Sequence, residues 1–299
     1  MQSFYYFLLR SFLTILAWLP LGVLHAIALV WGGLLYRIPN RARNTTFRNL
    51  QACFPRKSEE DIRVLARASL KNTACTALEM GKAWLLPVGK TLALVTETEG
   101  LDELKQALDS GEGVILLAPH QGNWEIFGIF ICDHMPTTFL YQPPKIPAFD
   151  RLLKKARSRN GMSLAPTNRK GVAQLLKALQ QGELAGILPD QVPSTEGGIY
   201  APFFGESALT MTLISKLIQR LRVKVFCGFA QRLPGAKGFK AIVKVAHEDI
   251  YAADLQTSVR GLNRTVEHSV GLAVTQYQWE YKRFRRRADG EKFYQGASD

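Results

Sequence analysis

The residues best suited to chemistry in this chain are a histidine and a carboxylate five positions apart, His120 and Glu125. Histidine titrates near neutral pH, so His120 could remove a proton from a hydroxyl group. A carboxylate on its second ring nitrogen would fix the tautomer and stabilise the imidazolium ion that forms. The spacing predicts a general base, His120, that Glu125 orients. A purely structural histidine is the alternative that these two residues leave open.

The element that must present His120 is a buried strand. The apolar run at 113–118 predicts such a strand just before it, and 123–132 predicts a short helix just after it. In open α/β sheets, ligands bind beyond the carboxyl ends of the strands, which is where this histidine falls. Asp190 directly follows a second strand candidate at 185–189. We therefore expect both residues at one edge of a sheet, although a simple turn residue is the other interpretation of Asp190.

Strand and helix patterns alternate along most of the chain. The predicted strands are 113–118, 137–141, 185–189, 223–231 and 239–246. The predicted helices are 58–84, 101–110, 123–132, 148–159, 170–181, 207–221 and 253–274. Strands separated by helices of about ten or more residues favour an α/β fold with a central, largely parallel sheet flanked by helices. The last two strands are close enough in sequence to form an antiparallel hairpin at one edge, which would make the sheet mixed there.

The N-terminal segment is apolar enough to meet a membrane. No charged residue occurs from 11 to 36, and about 20 apolar residues suffice to span a bilayer. Pro20 could kink this stretch or divide it into two helices. The arginines that follow place the rest of the chain in the cytoplasm by the positive-inside rule. We expect a membrane anchor over 1–40 and an α/β domain over 41–299; a spanning helix, a helix or hairpin in one leaflet, and a buried core helix are the three open arrangements.

The amino-acid composition restricts the kinds of molecule that this chain is expected to bind. Lysine and arginine (38) exceed aspartate and glutamate (25) in 299 residues, which suggests an anionic partner such as phospholipid head groups, a phosphorylated substrate or an acidic carrier protein. No nucleic-acid-binding motif is present, so we expect no nucleic acid partner. The four cysteines have no paired or metal-site spacing, and the sequence has no nucleotide-binding loop or serine-hydrolase elbow. We expect neither a metal nor a cofactor.

A basic segment supplies candidate ligands for such an anion. Arg157 and Arg159 lie on the predicted helix 148–159, which follows the strand candidate 137–141. Arginine binds phosphate and carboxylate groups through paired N–H donors. A solvated helix face is the alternative interpretation of these residues.

The ordered set of motifs resembles one family across nearly the whole chain. His120 and Glu125 match the His-x4-Asp/Glu signature of the lysophospholipid acyltransferase-like superfamily. The further segments that resemble blocks of the lipid A late (secondary) acyltransferases, the lauroyl and myristoyl transferases of Gram-negative bacteria, are 49–55, 157–160, 188–191, 197–210 and 277–284. The forms of the second and third blocks that are typical of glycerol-phosphate acyltransferases are absent, which points to the lipid A branch.

The resemblance implies a reaction and its partners. A fatty acyl group would pass from a thioester, carried by acyl carrier protein or coenzyme A, to a hydroxyl of a lipid A precursor. The enzyme would work among the lipids of the bacterial inner membrane, with its active site facing the cytoplasm. An acyltransferase for another membrane lipid and a non-catalytic membrane-bound protein are the alternatives.

That reaction gives the other polar residues expected roles. Arg157, Arg159 and Arg169 would bind the phosphates or acidic sugars of the glycolipid. Asp190 would brace one of these arginines or bind a sugar hydroxyl. Backbone N–H groups near Asn123, at a helix start, are candidate donors to the oxyanion of the tetrahedral intermediate.

Overall fold

A seven-stranded sheet lies at the centre of the computed structural model, which describes residues 2–144 and 146–294. The strands of the chain, in order, are β1 (Val95–Glu99), β2 (Gly113–Leu117), β3 (Thr137–Tyr141), β4 (Ser163–Pro166), β5 (Leu184–Ile187), β6 (Gly198–Phe203), β7 (Glu206–Met211), β8 (Val223–Arg232) and β9 (Phe239–Val245). The order across the sheet is β1-β9-β8-β2-β5-β3-β4, and β6 pairs with β7 in a separate antiparallel hairpin. Neighbours in the large sheet are parallel except β8 and β9. The predicted α/β fold with a largely parallel sheet is confirmed.

Helices cover both faces of the sheet. They are α1 (Gln2–Trp18), α2 (Leu21–Arg37), α3 (Arg41–Cys53), α4 (Glu59–Leu85), α5 (Val88–Leu92), α6 (Leu101–Asp109), α7 (Trp124–His134), α8 (Pro147–Ser158), α9 (Arg169–Gln180), α10 (Leu213–Arg220) and α11 (Leu255–Leu272). Val114 and Leu116 of β2 share a buried cluster with α4, α6, α7 and α8, whereas Ile115 and Leu117 share one with α9, α10 and α11. Because β2 is buried on both faces, its residues are apolar throughout.

The sequence predicts that the antiparallel pair, β8 and β9, lies at the edge of the sheet, but the structure places it further inside. β1 pairs in parallel with β9 and so becomes the outermost strand on that side. Its sequence, Val-Thr-Glu-Thr-Glu, carries one apolar residue, and its three central residues are exposed. Such a strand has almost no hydrophobic pattern, which explains why the sequence does not reveal it.

The predicted helix at 207–221 is wrong in its first half. Residues 206–211 form β7, and α10 begins only at Leu213. Phe203 pairs with Glu206 across a two-residue turn in which Phe204 and Gly205 have positive φ angles of 51° and 86°. This is the backbone form that a tight hairpin requires, and it reverses the chain before a helix can form.

The N-terminal helices form a bent pair. Within the ranges that the structure describes, no single helix is long and apolar enough to cross a membrane. The segments Tyr5–Trp18 and Leu21–Arg37 pass that test only together, and they are bent by 116° at the break between them. Pro20 stands at the break and precedes the first residue of α2. The uncharged stretch is therefore two helices divided at Pro20.

One face of this pair is packed and the other is exposed. Leu13 and Leu16 of α1, with Leu24 and Ala28 of α2, are buried in the cluster that includes α4. The exposed large apolar side chains are Tyr5, Phe7, Leu8, Phe12, Ile15, Trp18, Val23, Ile27, Leu29, Val30, Trp31 and Leu34. The pair is covered on one side only, unlike a buried core helix.

Candidate active site

A six-residue turn at 118–123 carries His120 from the end of β2 to the start of α7. The turn is closed by Asn123, whose side-chain oxygen accepts the backbone N–H of Ile126 at 3.0 Å and so caps α7. The histidine is 9% exposed. The sequence correctly predicts a strand, a turn with His120 and a helix.

Asp190 is the carboxylate that holds His120. It follows β5, the parallel neighbour of β2, in a register that pairs Leu117 with Ile187. Its Oδ2 accepts the backbone N–H of His120 at 2.8 Å, and its Oδ1 lies 2.8 Å from the ring Nδ1. Burial would raise the pKa of Asp190, but the charge of His120 and these hydrogen bonds hold it below its usual value. An ionised Asp190 favours the tautomer with the proton on Nδ1, which leaves Nε2 as the basic nitrogen.

Glu125 makes a different set of contacts, so its predicted bond to His120 is incorrect. Its carboxylate accepts the indole N–H of Trp84 at 2.9 Å and two bonds from Arg157, 2.5 Å from a terminal nitrogen and 3.2 Å from Nε. Burial would raise the pKa of Glu125, but the charge and hydrogen bonds of Arg157 hold it below its usual value, with smaller contributions from Trp84 and His120. The first turn of α7 directs this side chain towards α4 and α8, while the end of β5 brings Asp190 to the histidine.

The three predicted arginine ligands have different environments. Arg157 pairs with Glu125, and its guanidinium lies 5.4 Å from the ring centre of Tyr141. Arg159 donates to the backbone carbonyls of Leu86 at 2.8 Å and Ala83 at 3.2 Å. Arg159 therefore satisfies the free carbonyls at the end of α4, a structural role that the sequence does not reveal.

Arg169 lies apart from these groups. It is an exposed residue at the start of α9, directly after β4. β4 is the edge strand, separated from β2 by β3 and β5. The structure thus brings together His120, Asp190, Glu125 and Arg157 and leaves Arg169 on the outer side of the sheet.

The backbone donors predicted for the oxyanion are already in use. The N–H of Gly122 donates to the carbonyl of Gln276 at 2.8 Å, and the N–H of Asn123 donates to the carbonyl of Ala230 at 2.9 Å. The side-chain amide of Asn123 donates to Glu79 at 3.0 Å, so this group is committed as well. Asn123 therefore supports the turn, and its predicted substrate contact is not available in this structure.

A buried ion pair between Glu79 and Arg232 supports the turn that carries His120. Glu79 of α4 accepts two bonds from Arg232 of β8, at 2.6 and 2.5 Å, and lies 2.8 Å from the Nε2 atom of His25 in α2. Arg232 also donates to the hydroxyl of Thr76, which itself donates to the carbonyl of Gly122 at 3.0 Å. Burial would raise the pKa of Glu79, but the charge and hydrogen bonds of Arg232 hold it below its usual value. The network connects an N-terminal helix with the turn that carries His120.

This network was not predicted from the sequence, although the sequence contains one signal of it. Glu79 interrupts the apolar face of the amphipathic helix predicted at 58–84, and Arg232 comes at the end of an apolar strand. A charged residue on a buried face requires a partner of opposite charge. The sequence does not show which two such residues meet.

An open cavity of about 370 Å³ lies between α1, α4, α8 and the segment 276–280, and its lining includes Trp124 and Gln278, which contact His120. Its apolar wall consists of Leu9, Leu13, Ala77, Met80, Trp84, Trp124, Phe149 and Tyr277. Its polar edge consists of Asn72, Thr73, Thr76, Gln276, Gln278 and Glu280. The ring of Trp124 contacts that of His120 edge-on, with centroids 5.0 Å apart. The site can therefore place an apolar chain next to a histidine that is able to accept a proton.

The His120 ring has one further neighbour. The side-chain amide of Gln191 lies 3.2 Å from Nε2, and Gln191 is itself exposed. A hydroxyl group that displaces this amide would meet the basic nitrogen directly. Within residues 2–144 and 146–294, no group of three or more His, Cys, Asp or Glu side chains is placed to hold a metal ion.

Comparison with known proteins gives a consistent family. A family model described as bacterial lipid A biosynthesis acyltransferase matches residues 1–286. The lipid A biosynthesis lauroyltransferase of Escherichia coli (strain K12) is 26% identical over 273 residues, which cover 91% of this chain and 88% of that protein. The palmitoleoyltransferase of the same organism is 25% identical over 276 residues, with the same coverage. Its lipid A biosynthesis myristoyltransferase is 25% identical over 287 residues, 92% of this chain and 88% of that protein.

Proposed function

Because the chain belongs to the bacterial lipid A biosynthesis acyltransferase family, we propose that it transfers a fatty acyl group from an acyl thioester to a hydroxyl of a lipid A precursor. The observation that carries this proposal is the pair of His120 and Asp190 beside an apolar cavity. A base of this kind is what an alcohol needs to attack a thioester near neutral pH.

The proposed chemical step uses Nε2 of His120. As the hydroxyl oxygen attacks the thioester carbonyl, its proton passes to Nε2, and Asp190 stabilises the imidazolium ion that results. The tetrahedral intermediate then collapses, the carbon–sulfur bond breaks, and the proton on Nε2 passes to the departing sulfur. The products are the new ester and a free thiol, and His120 is again neutral.

Glu125 and Arg157 supply the positive group of the site in this proposal. The carboxylate of Glu125 fixes Arg157 through Nε and one terminal nitrogen. The second terminal nitrogen has no hydrogen bond to a described residue and can bind a phosphate of the acceptor or the oxyanion. Glu125 is thus a positioning residue for Arg157.

The exposed face of α1 and α2 suits the surface of a membrane. Helices bent by 116° that keep one face on α4 can lie along a lipid layer with the other face in one leaflet. Lys90 lies 4.4 Å from the ring centre of Trp18, and Arg151 lies 5.1 Å from that of Tyr6. These cations at the rim of the apolar face would meet anionic head groups. We propose that the enzyme works in this position on the cytoplasmic side of the inner membrane.

The donor in this proposal is acyl carrier protein, with acyl-coenzyme A as the alternative. The net charge of +13 favours an acidic carrier. The same fatty acid presented on each carrier, at matched concentrations, separates the two donors. A higher kcat/KM with the carrier protein supports the proposal, and a higher value with coenzyme A overturns it.

The test of the function is acyl transfer by the full chain in detergent. With an acyl thioester and a tetra-acyl lipid A precursor, the product should gain the mass of one acyl chain. His120→Ala should abolish the reaction while the protein stays folded. Transfer only to a lysophospholipid or an aminolipid would identify a different acceptor, and a wild-type rate for His120→Ala would overturn the mechanism.

A further inference from the structure

One carboxyl group of the cavity has no role in the mechanism above. Glu280 lies on the polar edge of the cavity, where its Oε2 accepts the hydroxyl of Thr73 at 3.0 Å. Asp190 and Glu125 are engaged by His120 and Arg157, but Glu280 forms no ion pair with any described residue. It is a third carboxyl group near the histidine, without a cation to neutralise it.

The position of Glu280 is unfavourable for the fold. Burial raises the pKa of Glu280, and the bonds from Thr73 and Gln278 offset this only in part. A carboxyl group with a raised pKa binds its proton more tightly in the folded than in the unfolded chain. Folding stability therefore falls as the pH rises from the ordinary pKa to the raised one. A group that weakens the fold at neutral pH and lines a cavity is a candidate for binding.

The chain holds Glu280 close to the chemistry. The backbone N–H of Gln278 donates to the carbonyl of His120 at 3.0 Å, and Gln121 is bridged to Tyr277. The segment that carries Glu280 therefore runs alongside the catalytic turn.

The cavity connects this carboxyl group with the lipid-facing helices. Leu9 and Leu13 of α1 form part of its wall, and Phe12 and Ile15 of the same helix are exposed on the outer face. A lipid chain that lies along the outer face of α1 would thus be separated from the cavity by this one helix. A ligand that reaches Glu280 from this side would be a membrane lipid.

The chemistry of the two reacting groups favours the acceptor as the ligand of Glu280. The reacting end of an acyl thioester carries a carbonyl oxygen and a sulfur, which accept hydrogen bonds but do not donate them. The acceptor must carry at least one O–H group, and a carboxylate is a strong hydrogen-bond acceptor for an O–H or N–H group. We propose that Glu280, held by Thr73, is the acceptor-recognition residue, which binds an O–H or N–H group of the lipid acceptor at the polar edge of the cavity.

This inference rests on the proposed function and is tested with Glu280→Gln in the full-length enzyme. Glutamine keeps the shape of the side chain but accepts a weaker hydrogen bond. The KM for the lipid acceptor should rise by about tenfold, the loss of roughly one charged hydrogen bond. The KM for the acyl donor should stay unchanged. The melting temperature at neutral pH should increase, because the buried carboxyl is gone, and the increase should vanish at acidic pH.

Glu267→Gln is the matched control. Burial also raises the pKa of Glu267, but this residue lies on α11 and accepts the backbone N–H of Phe204 at 2.6 Å, outside the cavity lining. The Glu267→Gln variant should leave the KM for the lipid acceptor and the KM for the acyl donor unchanged.

Each outcome has a distinct meaning. An unchanged acceptor KM in Glu280→Gln, or a rise confined to the donor KM, overturns the inference. A variant that is less stable at neutral pH with unchanged KM values shows a structural role instead. If the wild-type enzyme transfers no acyl group, the proposed function itself fails.

Discussion

Asp190 binds His120 twice, through the backbone N–H at 2.8 Å and through the ring Nδ1 at 2.8 Å. The first bond fixes the position of the turn relative to the end of β5, and the second fixes the rotation of the imidazole ring. Together they direct Nε2 towards the exposed amide of Gln191. One carboxylate thus sets both the position and the tautomer of the proposed base, His120.

Replacing Asp190 with asparagine should weaken His120 as a base while part of its hydrogen bonding is kept. The amide oxygen can keep one of the two hydrogen bonds to His120. A neutral side chain, however, no longer stabilises the imidazolium ion, and an amide N–H can favour the wrong tautomer. We expect kcat to fall by about three orders of magnitude or more, with a small change in KM. Steady-state kinetics checks this, with the exposed Asp109→Asn of α6 as a control. Near-normal turnover in a folded Asp190→Asn would contradict the assignment.

The pair of Glu125 and Arg157 should show strong coupling in stability. Both side chains are largely buried, so Glu125→Leu leaves an unpaired guanidinium inside the protein. We expect it to lower the free energy of unfolding by about 3–5 kcal/mol. The double variant Glu125→Leu/Arg157→Met should recover most of that loss, since no buried charge remains. Urea unfolding of the wild type, Glu125→Leu, Arg157→Met and the double variant gives the coupling energy, and additive effects would exclude a mutual interaction.

Gly122 should tolerate no side chain. Its φ angle is +59°, and a Cβ atom there would overlap the carbonyl oxygen of Ala230. Gly122→Ala must move the turn that carries His120, so we expect a loss of about 1–3 kcal/mol in stability and a large fall in kcat. Gly111→Ala is the matched control, because Gly111 has a φ of +77° but open space around it. Gly111→Ala should lose stability and keep its kcat. An equal fall in kcat in Gly122→Ala and Gly111→Ala would contradict this prediction.

Acid should weaken the fold through three carboxylates. The pKa values of Asp190, Glu125 and Glu79 lie below their usual range in the folded chain. Each therefore contributes stability that is fully present above its unfolded pKa of about 4 and is lost as the pH falls towards the folded value. We expect the melting temperature to fall steeply below about pH 4. Thermal unfolding across pH 3–7 checks this; a constant melting temperature down to pH 3 would contradict it.

Local patterns were sufficient to predict the strands that carry the site. β2 and β5 are apolar and end at polar residues, so the sequence places His120 and Asp190 at one edge of the sheet. The parallel pairing of these strands then brings the two residues together. The fold and this part of the site follow from hydrophobic runs and from the geometry of parallel sheets.

Contacts that depend on the direction of a helix could not be predicted in this way. The spacing of His120 and Glu125 allows a bond between them, but α7 turns Glu125 towards Arg157 instead. The pairing of Glu79 with Arg232 joins residues 153 positions apart. These contacts depend on how the helices pack on the sheet, which no periodicity in one segment encodes.

The turn that carries His120 is held by a segment that lies far from it in the sequence. The carbonyl of Gln276 binds the N–H of Gly122, and the N–H of Gln278 binds the carbonyl of His120. A nascent chain that has reached residue 250 already contains the histidine, its aspartate and the arginine, but lacks the segment that fixes the turn. The turn therefore acquires its final geometry only when residues 276–278, more than 150 positions further along the chain, pack against it.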